Sequence, residues 1–270
     1  MGQHNYLHLW DDRFLYLTPE IHSGLTARSS ATLLVSPPGR PFRLEALDGT
    51  SAQCEAALIA PHVPRRLDVE DGGGLLSLNL DPSSVAYRML ARRGSNQGIQ
   101  VLDVRCFGKL REAFQPALEG ALTARQLRAL SAGLIEAIAG GPEQGSALDP
   151  RVARVLSAIR DTAEPQSLAR LSALACLSPD RLSHLFAQQV GLSIKRYALW
   201  TKVRRSVEQF SGGRRLTDAA LDSGFADAAH MSRTFQSYFG LPPSFLASQV
   251  SVLTDAQASP SAQGSTLAAA

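Results

Sequence analysis

Cysteine is scarce in this chain: three in 270 residues, Cys54, Cys106 and Cys176, far apart and with no CxxC pair. That number and spacing exclude a disulfide framework and a thiolate zinc site, and they fit a reducing compartment. Each cysteine is expected to be a small buried apolar residue. Histidine is also sparse, with six, and forms no H-x-H or comparable cluster. Metals that take nitrogen, sulfur and carboxylate ligands need several of them converging, so neither a metal nor a cofactor is expected. His22 and His62 are the two histidines that could face one cavity. No apolar run approaches the roughly 18–20 residues of a membrane span, and no membrane partner is expected. The opening "MGQHNYLHLWDDRF" lacks a basic start followed by an apolar stretch, so a secretory signal is not expected and the predicted location is the cytoplasm.

Charge is abundant enough, but it is unevenly placed. Residues 151–250 hold 13 Lys and Arg against 7 Asp and Glu, whereas the remainder holds 14 against 17. A basic C-terminal segment joined to a slightly acidic N-terminal one points to a polyanionic partner for the former alone.

Up to about Leu80 the apolar segments are short: "RFLYLTP", "SATLLVS", "PFRLEAL", "CEAALIAP", "RRLDVE" and "LLSLNLDP". Turn residues in "PPGRP", "DGT", "PHVP" and "EDGGG" separate them, a pattern that predicts an antiparallel barrel or sandwich. A helix follows in "DPSSVAYRMLARR", with Asp81 as its expected cap and Pro82 at the first helical position. Residues 101–139 hold two helical patterns broken near 119–123. The second has a stripe at Leu127, Leu130, Leu134 and Ile138, which suits core packing or a dimerising helical pair. These readings divide the chain into a domain at 1–140, a Gly/Pro/Ser-rich linker at 141–150, a helical domain at 151–250 and a disordered tail at 251–270.

The helical domain contains a repeat. "LSHLFAQQVGLS" aligns with "MSRTFQSYFGLP" at a constant offset of 49 residues, so that Leu182, Ser183, Phe186 and Gly191 answer Met231, Ser232, Phe235 and Gly240. A duplicated unit of helix, tight turn and helix accounts for this. Thr217 is the expected cap of the first helix in the second copy, and Gly224 its left-handed turn residue. Ser178 and Pro179 give the first copy a sharp start to its second helix. Two short helices joined tightly, the second with an exposed polar face, form the helix-turn-helix arrangement. Between the copies "SIKRYALWTKVRRSVEQFS" predicts one long helix with a basic face of Lys195, Lys202, Arg204 and Arg205. Its length of about 25–28 Å would hold two recognition helices in successive major-groove segments about 34 Å apart.

These residues resemble the DNA-binding domain of the AraC/XylS family of bacterial transcriptional regulators over 149–247. The most specific stretch is "AALDSGFADAAHMSRTFQSYFGLPPSF", with Gly-Phe at the turn, Ser-Arg-x-Phe in the recognition helix and Gly-x-x-Pro after it. Cys176 departs from the glycine usual in the first turn, Met231 from the usual aromatic residue, and Leu246 from a frequent arginine. The first 150 residues are more loosely similar to the cupin-like sensor domains that precede this module. Many of those have histidines near the positions of Arg28, Ser30 and Arg65 or Arg66 here, and this sequence does not.

The fold expected is therefore α+β with two domains: an N-terminal antiparallel, cupin-like β-barrel with flanking helices, and an all-α domain of two helix-turn-helix units joined by a long helix. The outward residues of the recognition helices are Arg181, Ser183, His184 and Gln188 in the first, and Ala229, Ser232, Arg233 and Gln236 in the second. Arg pairs bidentately with guanine, Gln with adenine, and Ala lies against a thymine methyl. Base reading is expected of Arg181, His184 and Arg233, and phosphate contact of Lys195, Arg205 and Ser232. The partners implied are promoter DNA, a small-molecule effector in the barrel (its site unassigned, with His22 and His62 as the candidates), RNA polymerase in the case of an activator, and a second copy of the chain. Two alternatives stand beside this: a regulator without effector whose barrel only dimerises, and, remotely, a cupin-type enzyme with a DNA-binding tail.

Overall fold

The computed structural model describes residues 4–28, 30–94, 98–141, 147–162, 164–210 and 215–254. Strands β1 (Asn5–Leu9), β2 (Arg13–Thr18), β4 (Ala31–Val35), β7 (Ala56–Ile59), β9 (Leu75–Leu80) and β10 (Ile99–Val101) build the larger sheet. It is completed by β11 (Val250–Thr254), in the order β10-β7-β4-β9-β2-β1-β11. A four-stranded sheet, β3-β8-β5-β6, consists of β3 (Ile21–His22), β5 (Phe42–Ala46), β6 (Ser51–Cys54) and β8 (Arg65–Val69). The antiparallel, sheet-rich N-terminal domain expected from the sequence is thus built of two sheets.

Strand alternation sorts the side chains of the larger sheet into two cores. Leu15, Leu17, Leu33, Val35, Leu76, Leu78 and Leu80 pack against helices α1 (Val85–Gly94), α2 (Phe114–Leu118) and α3 (Ala124–Ala139), and against a 3₁₀ segment at Val104–Ala113. Leu127, Leu130 and Leu134 are buried there, so the α3 stripe is core. On the opposite face Phe14, Tyr16, Leu34 and Ile59 meet Phe42, Leu44, Leu67 and Val69 of the smaller sheet. Helix α1 begins at Val85 rather than at Pro82, because the Ser84 hydroxyl accepts the Tyr87 N–H at 3.0 Å. Asp81 instead accepts from Ser83 and from Trp200 in the helical domain.

The helical domain comprises α4 (Pro150–Arg160), α5 (Leu168–Ala175), α6 (Pro179–Val190), α7 (Ile194–Phe210), α8 (Leu216–Asp222), α9 (Ala228–Phe239) and α10 (Pro243–Gln249). Asp149 caps α4. Residues 142–146, most of the predicted linker, lie outside the described residues.

The disordered tail is corrected over its first part. Residues 250–254 form β11, which pairs in parallel with β1 from Asn5↔Val250 to Leu9↔Thr254. Residues 255–270 lie outside those described. Two of the three cysteines also differ from expectation: Cys54 is buried, but Cys106 and Cys176 are exposed. No helix among the described residues is long and apolar enough to cross a membrane.

Candidate nucleic-acid interface

The 49-residue echo is a structural repeat. Helices α6 and α9 have 12 residues each, and both end on a left-handed glycine, Gly191 (φ 76) and Gly240 (φ 74). The glycine N–H of each bonds back four residues, to Ala187 O and Gln236 O. Ser178 caps α6, accepting from Arg181 N, and Asp227 caps α9, accepting from His230 N at 2.6 Å. The sequence reading missed Asp227 and placed a cap at Thr217, which lies inside α8; Arg215 occupies the cap position there without a side-chain bond.

The turns within the two units differ. In the first, Cys176 takes the left-handed conformation (φ 52, ψ 44) that ends α5, a conformation glycine adopts at least cost. In the second, Gly224 supplies it (φ 81) after Ser223.

Burial separates the two faces of each recognition helix. In α6, Leu182, Phe186 and Val190 are buried, while Arg181, His184 and Gln188 are exposed. In α9, Met231, Thr234, Phe235, Tyr238 and Phe239 are buried, while Ala229, Arg233 and Gln236 are exposed. Ser183 and Ser232 are half-buried, and their hydroxyls donate to Pro179 O and Ala228 O, each at 2.8 Å. A serine so engaged must give up its helix bond before it can donate to a phosphate.

The connector α7 is about 25 Å long. Of its predicted basic face, Lys195 alone is exposed. Arg205 is corrected: its guanidinium donates to Arg160 O at 2.9 Å, Ile159 O at 3.2 Å and Thr162 O, closing the C-terminal end of α4. Helix ends leave such carbonyls without intrahelical donors, and a nearby arginine satisfies them. Lys202 Nζ donates to Gly224 O at 2.5 Å, pinning the turn of the second unit. Arg204 bonds Asp11 O at 2.8 Å and lies 3.6 Å from Asp81. Exposed Arg170 and Arg215, at the starts of α5 and α8, add cations that sequence reasoning did not select.

The helical domain is packed against the sheets. Trp200 Nε1 donates to the buried Asp81 at 2.5 Å, and its ring meets Tyr238 and Phe239 with centroids 5.2 and 5.8 Å away. Phe14 of β2 packs against Phe239 with tilted rings, their centroids 4.6 Å apart. Both capping glycines touch the N-terminal domain: a β-carbon at Gly191 would lie 3.1 Å from the Tyr87 ring, and one at Gly240 would lie 3.0 Å from Arg28 Nε.

The two histidines proposed for an effector have different surroundings. His22 is exposed and pairs with Asp68. His62 is also exposed, in a turn at φ 63, and partial desolvation, with Arg196 nearby, holds its pKa below the usual histidine value. Among the described residues no group of three or more His, Cys, Asp or Glu side chains is placed to hold a metal.

Comparison with known proteins agrees with this geometry. Residues 171–249 match the helix-turn-helix domain family. The arabinose operon regulatory proteins of Salmonella typhimurium (strain LT2) and Escherichia coli (strain K12) are each 33% identical over 78 residues, 28% of this chain. The match spans 28% and 27% of their own lengths. The crystal structure of ToxT from Vibrio cholerae O395 shares the fold with a TM-score of 0.53 at 12% identity, over 90% of this chain and 95% of that one. A structure of ToxT from strain SCE256 with an unsaturated fatty acid bound gives 0.52 at 12% identity, over 92% and 97%. Residues 171–249 thus form a helix-turn-helix domain similar to that of the arabinose operon regulatory proteins, and in this chain they are joined to a sheet-rich N-terminal domain.

Proposed function

We propose that the whole chain is a promoter-binding transcription regulator that changes its DNA affinity when a small molecule binds the N-terminal domain. The observation that carries the DNA-binding part is the pair of equal-length recognition helices, both with exposed polar faces, joined by one rigid connector. Arg181 and His184 of α6 and Arg233 of α9 read base edges. Gln188, Gln236 and Ala229 lie on the same faces, and Lys195, Arg170 and Arg215 meet phosphates. Ser183 and Ser232 act chiefly within their helices, and Arg205 leaves the contact set.

Effector response is supported by the docking of α7 and α9 on the sheets. A ligand shifts an equilibrium only through different affinity for two arrangements, and that interface supplies the contacts that would differ. The fatty acid in the ToxT structure makes a carboxylate-bearing ligand the class to test first. Activation of a promoter would add RNA polymerase as a partner, and a second copy of the chain is a further candidate partner.

The test is a gel-shift titration on genomic fragments selected by the protein, at fixed salt. Arg233→Ala and Arg181→Ala are each expected to weaken specific binding by about 1–3 kcal/mol without changing thermal stability. Unchanged affinity would remove the residue from the interface.

A further inference from the structure

The N-terminal domain meets the helical domain in a definite order along the connector. Toward the middle of α7, Trp200 donates to Asp81. One turn earlier, the Tyr197 hydroxyl lies 3.5 Å from Ser83 Oγ. At the end of α6, a β-carbon on Gly191 would lie 3.1 Å from the ring of Tyr87. Residues 81–87 thus run back along the connector, from Trp200 to the far end of the first recognition helix. On the other side of Trp200, the Phe14 ring is centred 6.2 Å from the indole and 4.6 Å from Phe239, the last residue of α9. Tyr87 and Phe14 are both buried. One domain therefore holds both recognition helices by their C-terminal ends.

The reading residues lie toward the opposite ends. Arg181 and His184 are the third and sixth residues of α6, and Ala229 and Arg233 are the second and sixth of α9. All four are exposed with the N-terminal domain in place. A helix in the major groove contacts bases mainly through its N-terminal residues, so this domain grips the helices without covering what reads. Each unit also packs on α7. A unit held by one helix alone can rock about that contact. Each recognition helix is about 18 Å long, so a tilt of about 10° at its glycine end moves the reading end by about 3 Å. Successive base pairs are about 3.4 Å apart, and such a tilt shifts a contact by almost one of them. A second contact at the far end removes that freedom, because packed interiors compress little.

We propose that the N-terminal domain is a brace that fixes the separation and angle of the two recognition helices, with Tyr87 and Phe14 as its positioning residues. Neither side chain needs to touch DNA, yet together they set the spacing that the two halves of the operator must keep. Tyr87 acts on the first helix through Gly191, where the lack of a side chain lets the ring approach. Phe14 acts on the second through Phe239. Ordering both helices beforehand also removes that cost from the binding step. The inference rests on the DNA-binding reading above, and it assigns this domain a part in register whether or not it takes an effector.

The test is a gel-shift titration of the full chain, at fixed salt, on the operator it selects. Footprinting locates the two halves, and further fragments carry one or two base pairs inserted between them. One inserted base pair should cost the wild type about tenfold or more in affinity. Tyr87→Ala and Phe14→Leu should bind the unaltered operator more weakly, and the same insertion should cost them about threefold or less. Tyr87→Phe keeps the ring and should retain the wild-type penalty. Loss of folded protein lowers binding at every spacing equally, so the ratio between spacings separates positioning from stability. A variant that fails to fold leaves the decision to the other. If neither folds, Gly191→Ala decides, because it presses on Tyr87 from the opposite side and should cut the penalty in the same way. An equal penalty in wild type and variants, or none in the wild type, overturns the brace and leaves the DNA-binding reading standing. Absence of any sequence-selective binding overturns both.

Discussion

The two helix-turn-helix units are alike in their second helix and unlike in what holds it. Helices α6 and α9 have equal length, equivalent caps and glycines at the same offset. The glycine ending α6 rests on a phenol ring, Tyr87, whereas the one ending α9 rests on a buried guanidinium, Arg28. The first unit turns on Cys176 and the second on Gly224, with Lys202 bonded to its carbonyl. Phe239 and Tyr238 of the second unit join Trp200 and Phe14 in one aromatic cluster, while Phe186 of the first meets Tyr197 of the connector at 5.9 Å. The two helices share length, capping positions and terminal glycines, and their attachments differ. The first unit is held mainly by its own domain, and the second is shared with the sheets.

That contrast can be broken or sharpened by substitution. The largest effect is expected from Trp200→Ala, which empties a buried aromatic site and removes the partner of Asp81. Denaturant unfolding should show a loss of about 3–5 kcal/mol. The loosened contact should also leave α9 more open to amide exchange than α6; equal protection would mean that the shared cluster does not distinguish the units. Next come Gly191→Ala and Gly240→Ala, which place a side chain at positive φ and should each cost about 1–2 kcal/mol. Gly191→Ala should cost more, because a buried ring yields less readily than the end of an arginine. The reverse order would show that Arg28 is held more rigidly than Tyr87. Smallest is Cys176→Gly, which relieves the left-handed strain of the first turn and should raise stability by about 0.5–1 kcal/mol.

Much of this arrangement was legible where the signal is local. The 49-residue repeat, the Ser178–Pro179 start, Gly224 in the turn and the exposed faces around Arg181 and Arg233 follow from helix period and capping chemistry. Six strands were readable from apolar runs between turn residues. What escaped depends on distant partners. The run "VSVLT" is β-branched but short, and what makes it a strand is its ladder partner β1, some 245 residues earlier. Asp81 looked like a helix cap because a carboxylate before proline suits that role; its main engagement is with Trp200, 119 residues on. Arg205 sits on a helix face that looks basic and solvated, yet the end of α4 lies across from it. Arg28 and Arg65 were noticed for the histidines they replace, and their burial became visible only with the sheets assembled. Helical periodicity also put Lys202 and Arg204 on an outer face, and only the neighbouring carbonyls and Asp81 explain why they are inside.

The parallel ladder between β1 and β11 makes the helical domain a segment moored at both ends. Its first helix starts at Pro150, and the chain returns to the edge of the larger sheet at Val250. A body tied at one point can swing on its tether, but one tied at two points pivots about the line joining them. The recognition helices can therefore swing freely only after five register pairs have unzipped. Unzipping would also bare the edge of β1, and an uncovered edge is a template for a strand from another chain. Release of the two helix-turn-helix units and exposure of a strand edge thus follow from the same unzipping.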